Sequence, residues 1–284
     1  MDSSISREMK QVIDPLHVFV YFAPEAQEEY AALGLEGRAE GYFPPRAAPL
    51  GQVPWQVVQA VFFGFSPLAV QFGMTQAWNK TTPEAVTEAR LRGVDRALRR
   101  MVGDLLDDDT RISEALDLAR TAAAACPVAG RPLFAAQAAL PEPEAPHLAL
   151  WHQLAVLREF RGDGHLAALL AADVDGPQSL VLQAALQGGG AAEFLQASRA
   201  WGPDVWAAAT EQLTDRGWVA AAGELTPVGR AAREAIELQT DQLALAPWRA
   251  LGADGSARLR DLLAPLADAV LASGELPAAA RPGT

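Results

Sequence analysis

Arg158, Arg161, Asp163 and His165 fall within eight residues of a chain that has only 4 histidines. Their types suit proton transfer and anion binding. A carboxylate beside an imidazole can fix its tautomer and raise its basicity, which makes His165 the candidate catalytic base and Asp163 its orienter. Gly162 and Gly164 flank Asp163 and read as a tight turn over 161–165 that lets these side chains converge. A plainer role competes. Asp163 would N-cap a helix beginning at Gly164 or His165, and Arg161 would bind the last carbonyls of the helix before it. Arg158 shares a helical stripe with Trp151, next to Leu150, Leu154 and Leu157. A guanidinium beside an apolar face needs an anion, because burying an unpaired charge is costly. Glu159, Asp163 or an acidic ligand could supply it.

Three further candidates lie near the N-terminus. His17 and Tyr21 are four residues apart and share a helical face with core residues, so His17 is either a ligand-binding group or a satisfied core histidine. Arg46 sits in a proline-bounded stretch with Tyr42 and Phe43, where it could contact an anion. The competing role for that stretch is loop packing. HExxH, a Gly-rich phosphate loop, GxSxG and Cys–His metal spacing are all missing from the sequence. No metal site is expected and the cofactor is unknown. Haem with His17 or His165 as an axial ligand stays open, without a c-type attachment motif.

The elements that must position these groups are mostly helical. Hydrophobic residues make up 50% of 284 residues and aromatics only 7%, with alanine and leucine dominant, which favours helix over sheet. The pattern predicts a helix over 4–22 kinked or broken at Pro15, a structured loop over 40–54, and a buried helix pair over 55–72 broken at Ser66–Pro67. It also predicts a helix from Thr82 to about Val102. A helix over 147–160, the turn, and a short helix HLAALLAA come next. Then follow three helices, a small hairpin WVAAAGELT and a long final helix PVGRAAREAIELQTDQL, an expectation that leaves out any helix beyond it. The expected fold class is mainly α: an N-terminal helical domain over 1–125, a linker over 126–146, and a winged-helix-containing domain over 147–270. The tail over 271–284 reads as disordered.

The run LTDRGWVAAAGELTPVGRAAREAIELQTDQL resembles the wing and following helix of MarR-like winged-helix proteins. More broadly, PLHVFVYFAPE, RAAPLG and LREFRGDGH are similar to stretches of an actinobacterial family with such a C-terminal domain, over most of residues 8–270. That resemblance implies a winged helix-turn-helix, and with it either DNA binding or a winged helix used as a packing module.

Charge weighs against DNA. The net charge is -12, from 35 acidic and 23 basic residues. The helix expected in the major groove, PDVWAAATEQLTDR, has Asp204, Glu211 and Asp215 against Arg216 alone, and the wing tip has no cation. One cysteine precludes an internal disulfide, and the polar start MDSSISREMKQVID lacks a signal-peptide profile, so a cytoplasmic protein is expected. No apolar run approaches the ~20 residues of a membrane span. The expected function is a small-molecule-binding protein, with enzymatic activity left open. Its pocket would take an acidic ligand between the two halves: His17, Tyr21 and Arg46 from one, Trp151, Arg158, Arg161, Asp163 and His165 from the other. The alternative is a ligand-responsive DNA-binding regulator acting as a homodimer.

Overall fold

The computed structural model describes residues 2–278. Helix α1 (Ser4–Val18) carries Met9, Ile13 and Leu16 into the core; Pro15 lies inside it without ending it, and a 3-10 turn follows at Phe19–Tyr21. Next come α2 (Pro24–Ala31), α3 (Gly37–Glu40) and α4 (Phe43–Ala47). The stretch expected as a loop thus contains helix. Pro44 and Pro45 sit in the first turn of α4, where backbone N–H groups have no intrahelical acceptor to lose. Helices α5 (Trp55–Val61) and α6 (Pro67–Thr75) break at Ser66–Pro67 as the pattern predicts. They are not buried all round, since Leu68 and Phe72 are largely exposed.

After α7 (Ala77–Lys80), α8 (Pro83–Val102) starts at Thr82, whose hydroxyl accepts the Ala85 N–H at 3.2 Å. Helix α9 (Asp109–Ala124) is capped by Asp108 in the same way. The expected linker over 126–146 carries α10 (Pro132–Ala138), with Leu133 and Phe134 buried.

Helix α11 (Pro146–Ala171) is the largest departure from the sequence reading, because it runs unbroken through 161–165. The glycines there serve approach rather than a turn. A Cβ on Gly164 would lie 2.7 Å from Arg131 Nη1 and 3.3 Å from Leu243 Cβ. Arg131 uses that space to donate to the carbonyls of Phe160 and Leu243, locking α11 to the C-terminal end of a later helix.

Helix α12 (Gly176–Gln187) begins with a reciprocal capping box between Asp175 and Gln178. Helices α13 (Ala191–Arg199) and α14 (Pro203–Asp215) follow. The stretch expected as a hairpin forms one antiparallel bridge, Val219 to Leu225, and no strand is present among the described residues. Helix α15 (Pro227–Leu243) is capped by Thr226. Helix α16 (Ala246–Ala272) is broken at Gly252. Leu271 and Ala272, placed in the tail by the sequence reading, end α16, and Leu276 is buried; the end of that tail, 279–284, lies outside the described residues.

Two cores result. The larger joins α1, α8, α9, the first half of α11 and α16, so its residues run from Met9 to Leu276 across the expected domain boundary. The smaller joins the end of α11 to α12, α14, the hairpin and α15 through Leu169, Leu182, Leu213, Val219 and Ile236. Helix α11, about 39 Å long at 1.5 Å per residue, belongs to both. It fixes the two packed regions relative to each other. A clasp adds to this: Ser66 N–H donates to the Arg199 carbonyl at 2.9 Å, and Trp201 Nε1 to the Gly64 carbonyl at 2.9 Å. The N-terminus of α12 abuts the same segment, where a Cβ on Gly176 would fall 2.3 Å from the Phe63 carbonyl oxygen.

Candidate functional site

Glu159 is the centre of the most highly charged buried region. Its side chain is 4% exposed. Arg46, from α4, reaches it with two hydrogen bonds of 3.3 and 3.1 Å, and Arg158 donates from the same helix at 2.8 Å. Burial alone would raise this carboxyl, but Arg158 and then Arg46 hold it well below the usual carboxylate range. Of the three anions open to Arg158, Glu159 is the one within the protein that it binds. Arg46 also donates to the Tyr42 hydroxyl at 3.3 Å and lies over the Phe62 ring, 4.6 Å from its centre.

Arg199, at the end of α13, joins the group from across the molecule. It lies 4.5 Å over the Phe65 ring and donates to Ser198 Oγ at 3.2 Å. No carboxylate among the described residues pairs with it. Its guanidinium is pushed below its ordinary value, by burial first and by the nearby cations Arg46, Arg158 and Arg38, with Tyr42 working the other way. Two guanidiniums thus hold one carboxylate, and a third stands near enough to feel their charge without a carboxylate of its own.

These groups line a cleft of about 250 Å³ walled by α4, the α5–α6 turn, α10 and α11 on one side and α12 and α13 on the other. Arg46, Arg158, Glu159, Asp163, His165 and Arg199 all border it. A second cleft of about 430 Å³ shares Phe65 and Arg199 with the first. Its large lining side chains are mostly aromatic (Tyr21, Phe22, Tyr42, Phe43, Phe65 and Phe194), set among alanines and the polar Gln27, Arg38 and Ser198. Tyr42 stands 4.9 Å from Tyr21 and 5.0 Å from Phe65 by ring centres.

The remaining candidates fall into two groups. His17 is buried behind the first cleft's carboxylate and lines neither cleft; it shares a 2.8 Å hydrogen bond with the Tyr21 hydroxyl and stacks on Trp151 at 6.1 Å. Burial lowers its pKa to about 3, and Arg158 reinforces the shift against Glu159. Trp151 is a core residue under the Arg90 guanidinium. Arg161 turns away from the cleft to Asp241 at 2.8 Å and Glu237 at 3.2 Å on α15.

The expected orienting pair of Asp163 and His165 does not form. Asp163 Oδ2 accepts the Phe134 N–H at 2.9 Å, so it caps α10 rather than its own helix. His165 Nδ1 shares a 3.0 Å hydrogen bond with Thr240 on α15. Residues two apart on a continuous helix point in divergent directions, and the expected turn would have been needed to bring them together. Burial raises Asp163 to about 6 and lowers His165 to about 4. Among the described residues no group of three or more His, Cys, Asp or Glu could hold a metal ion, and no helix is long and apolar enough to cross a membrane.

Sequence reasoning missed Arg199, Phe62 and Phe65. Arg199 carried a faint signal, as the one cation in the run AAEFLQASRAWG, but nothing local tied it to residues over a hundred positions away.

The outward side of α14 exposes Asp204, Val205, Ala207, Ala208, Glu211, Gln212 and Asp215. Arg216 just beyond it donates to the carbonyls of Asp173 and Ala172 and lies 3.8 Å over the Trp218 ring. Its donors are therefore already engaged within the protein.

The order of short helices α12–α14, a turn and the long α15 matches the element order of a helix-turn-helix region. The chain belongs to the helix-turn-helix family, whose profile matches residues 6–277. No curated protein and no solved structure matches the chain.

Proposed function

We propose that this protein binds a small anionic molecule in the cleft between the larger helical core and the helix-turn-helix region. In this reading α12–α14, the hairpin and α15 form a winged helix whose role is to wall the cleft. The observation that carries it is the charge imbalance: Arg46 and Arg158 both bind Glu159, while Arg199, on the same cleft, contacts no carboxylate among the described residues. A guanidinium drawn partly out of water gains most from a bidentate anion, so a carboxylate or a phosphate suits Arg199. Arg46, Arg158 and Arg199 are the binding residues. Tyr21 belongs to the adjoining aromatic wall, while His17, Trp151 and Arg161 support the scaffold. Asp163 and His165 border the cleft with their polar atoms engaged elsewhere, and no proton-transfer step is assigned to them.

The family match favours a second reading, a ligand-responsive DNA-binding regulator. The acidic outward side of α14 speaks against it, because phosphate contacts supply most non-specific affinity and require free cations. Two measurements separate the readings. Carboxylates and phosphate should raise the melting temperature of the wild-type chain at constant ionic strength, and Arg199→Met should abolish that rise. Fluorescence anisotropy with duplex DNA at low salt should show no tight binding. Tight, salt-sensitive DNA binding would restore the regulator, and anion stabilisation indifferent to Arg199 would sink the cleft reading.

A further inference from the structure

We propose that the ligand is an aromatic acid, its ring system in the aromatic cleft and its acid group on Arg199 and the neighbouring arginines. This rests on the anion-binding reading above and narrows its substrate class.

The two clefts meet at one residue pair. Phe65 and Arg199 border both, with the guanidinium 4.5 Å over the ring. A molecule lying along that wall would pass from an apolar compartment to a cationic one within the reach of a single side chain. The apolar compartment is built from rings rather than aliphatic chains. Tyr21, Tyr42, Phe43, Phe65 and Phe194 border it, and Val, Leu and Ile are missing from its lining.

Those rings are mutually tilted or edge-on: Phe43 to Phe65 is 5.0 Å at 81°, and Tyr42 to Phe65 is 5.0 Å at 41°. Phe43 and Phe65 are buried behind this wall, so a guest meets the half-buried Tyr21, Tyr42 and Phe194, and a planar π system can match its own edge or face to these rings. A flexible alkyl chain makes no such match and loses more rotational freedom on binding. Size agrees. A cavity of roughly 150 Å³ accommodates a benzene-sized molecule, so a cleft of about 430 Å³ has room for a body of two or three fused rings.

Polarity fixes the orientation. In the aromatic cleft the cations are Arg38 on exposed α3 and Arg199 at the junction. In the basic cleft, Arg46 and Arg158 are committed to Glu159 through some of their donors. Arg199 is therefore the first contact of the acid group, with Arg46 and Arg158 behind it.

Calorimetric titration of the full chain with four probes tests this: naphthoate, octanoate, naphthalenemethanol and inorganic phosphate. Naphthoate should bind about tenfold tighter than octanoate, the margin that ring–ring contacts add beyond buried area. It should also exceed the uncharged naphthalenemethanol by at least about tenfold. Arg199→Met should erase the second margin and leave naphthalenemethanol unaffected. Tyr42→Leu should erase the first margin and leave octanoate unaffected; Phe194→Leu, on the half-buried rim, is the second variant should Tyr42→Leu lose its fold.

If octanoate or phosphate matches naphthoate and each still requires Arg199, the aromatic assignment is overturned while the anion site stands. If no anion binds through Arg199, both fall.

Discussion

Helix α11 holds two arginine clusters on different sides, and they differ in balance. Around Arg161 there are three guanidiniums, Arg7, Arg161 and Arg233, and three carboxylates, Glu234, Glu237 and Asp241. Around Arg158, the guanidiniums of Arg46 and Arg158 contact one carboxylate, Glu159, with Asp14 acting on Arg158 without a direct bond, and Arg199 borders the same cleft with no carboxylate contact among the described residues. The balanced network ties α1, α11 and α15 together and borders neither of the two clefts; the unbalanced one opens on both. The contrast teaches that buried arginines by themselves do not mark a site. What matters is whether the protein supplies the counter-charges.

The largest expected effect breaks the comparison at its anions. Glu159→Leu leaves Arg46 and Arg158 facing each other in a poorly hydrated place, and should cost about 3–5 kcal/mol in chemical denaturation. Asp241→Leu removes an equally buried carboxylate, but Arg7 is 37% exposed and Glu234 and Glu237 remain. The loss there should be roughly 1.5–3 kcal/mol. Equal losses would mean that the imbalance has no energetic content.

A smaller effect concerns the cations. Arg199→Met removes a charge without a carboxylate partner and should change ligand-free stability by no more than about 0.5 kcal/mol. Arg161→Met strands Asp241 with Arg7 alone and should cost at least about 1.5 kcal/mol. A melting curve of each variant without added anions checks this, and a severe loss for Arg199→Met would show it to be a structural residue.

Acid sharpens the comparison further, because each cluster encloses a histidine. Burial lowers His17 to about 3 and His165 to about 4, from an ordinary 6.5. Folded pKa values below the unfolded ones mean that the unfolded chain takes up protons first. Stability is complete above pH 6.5 and should fall as the pH drops toward 4 and then 3. Burial is the larger cause for both, so His17→Gln and His165→Gln should each flatten the pH–stability curve below pH 6.5. A curve unchanged in either variant would show that its histidine is not buried in the neutral form.

Asp163 contributes with the opposite pH dependence. Burial raises its pKa to about 6, so its contribution has the opposite sign: present below pH 3.8 and lost as the pH rises through 6. Asp163→Asn keeps an acceptor for the Phe134 N–H, so it should leave stability at pH 7 unchanged or raised by up to about 1 kcal/mol. It should also steepen the loss below pH 6.

Much of the helical order was legible locally. Thr82–Pro83–Glu84, Ser66–Pro67 and Thr226–Pro227 each mark a helix start that the structure contains, because capping and proline geometry act within a few residues. The RGDGH stretch misled. Glycine pairs suggest a turn, yet here Gly164 makes room for Arg131, which approaches from 33 positions away. Arg46 and Arg158 were legible as candidates from their apolar surroundings, whereas their shared use of Glu159 was not.

By itself the sequence determined a mainly helical chain, a helix-turn-helix region whose outward helix lacks free cations, and a set of arginines in need of anions. Those properties follow from periodicity, capping and charge, which are local or additive. Only the tertiary structure decided which anion each arginine receives. Counter-charges reach their partners through helices distant in sequence, and the difference between a saturated cluster and one left wanting appears only once all of them are in place.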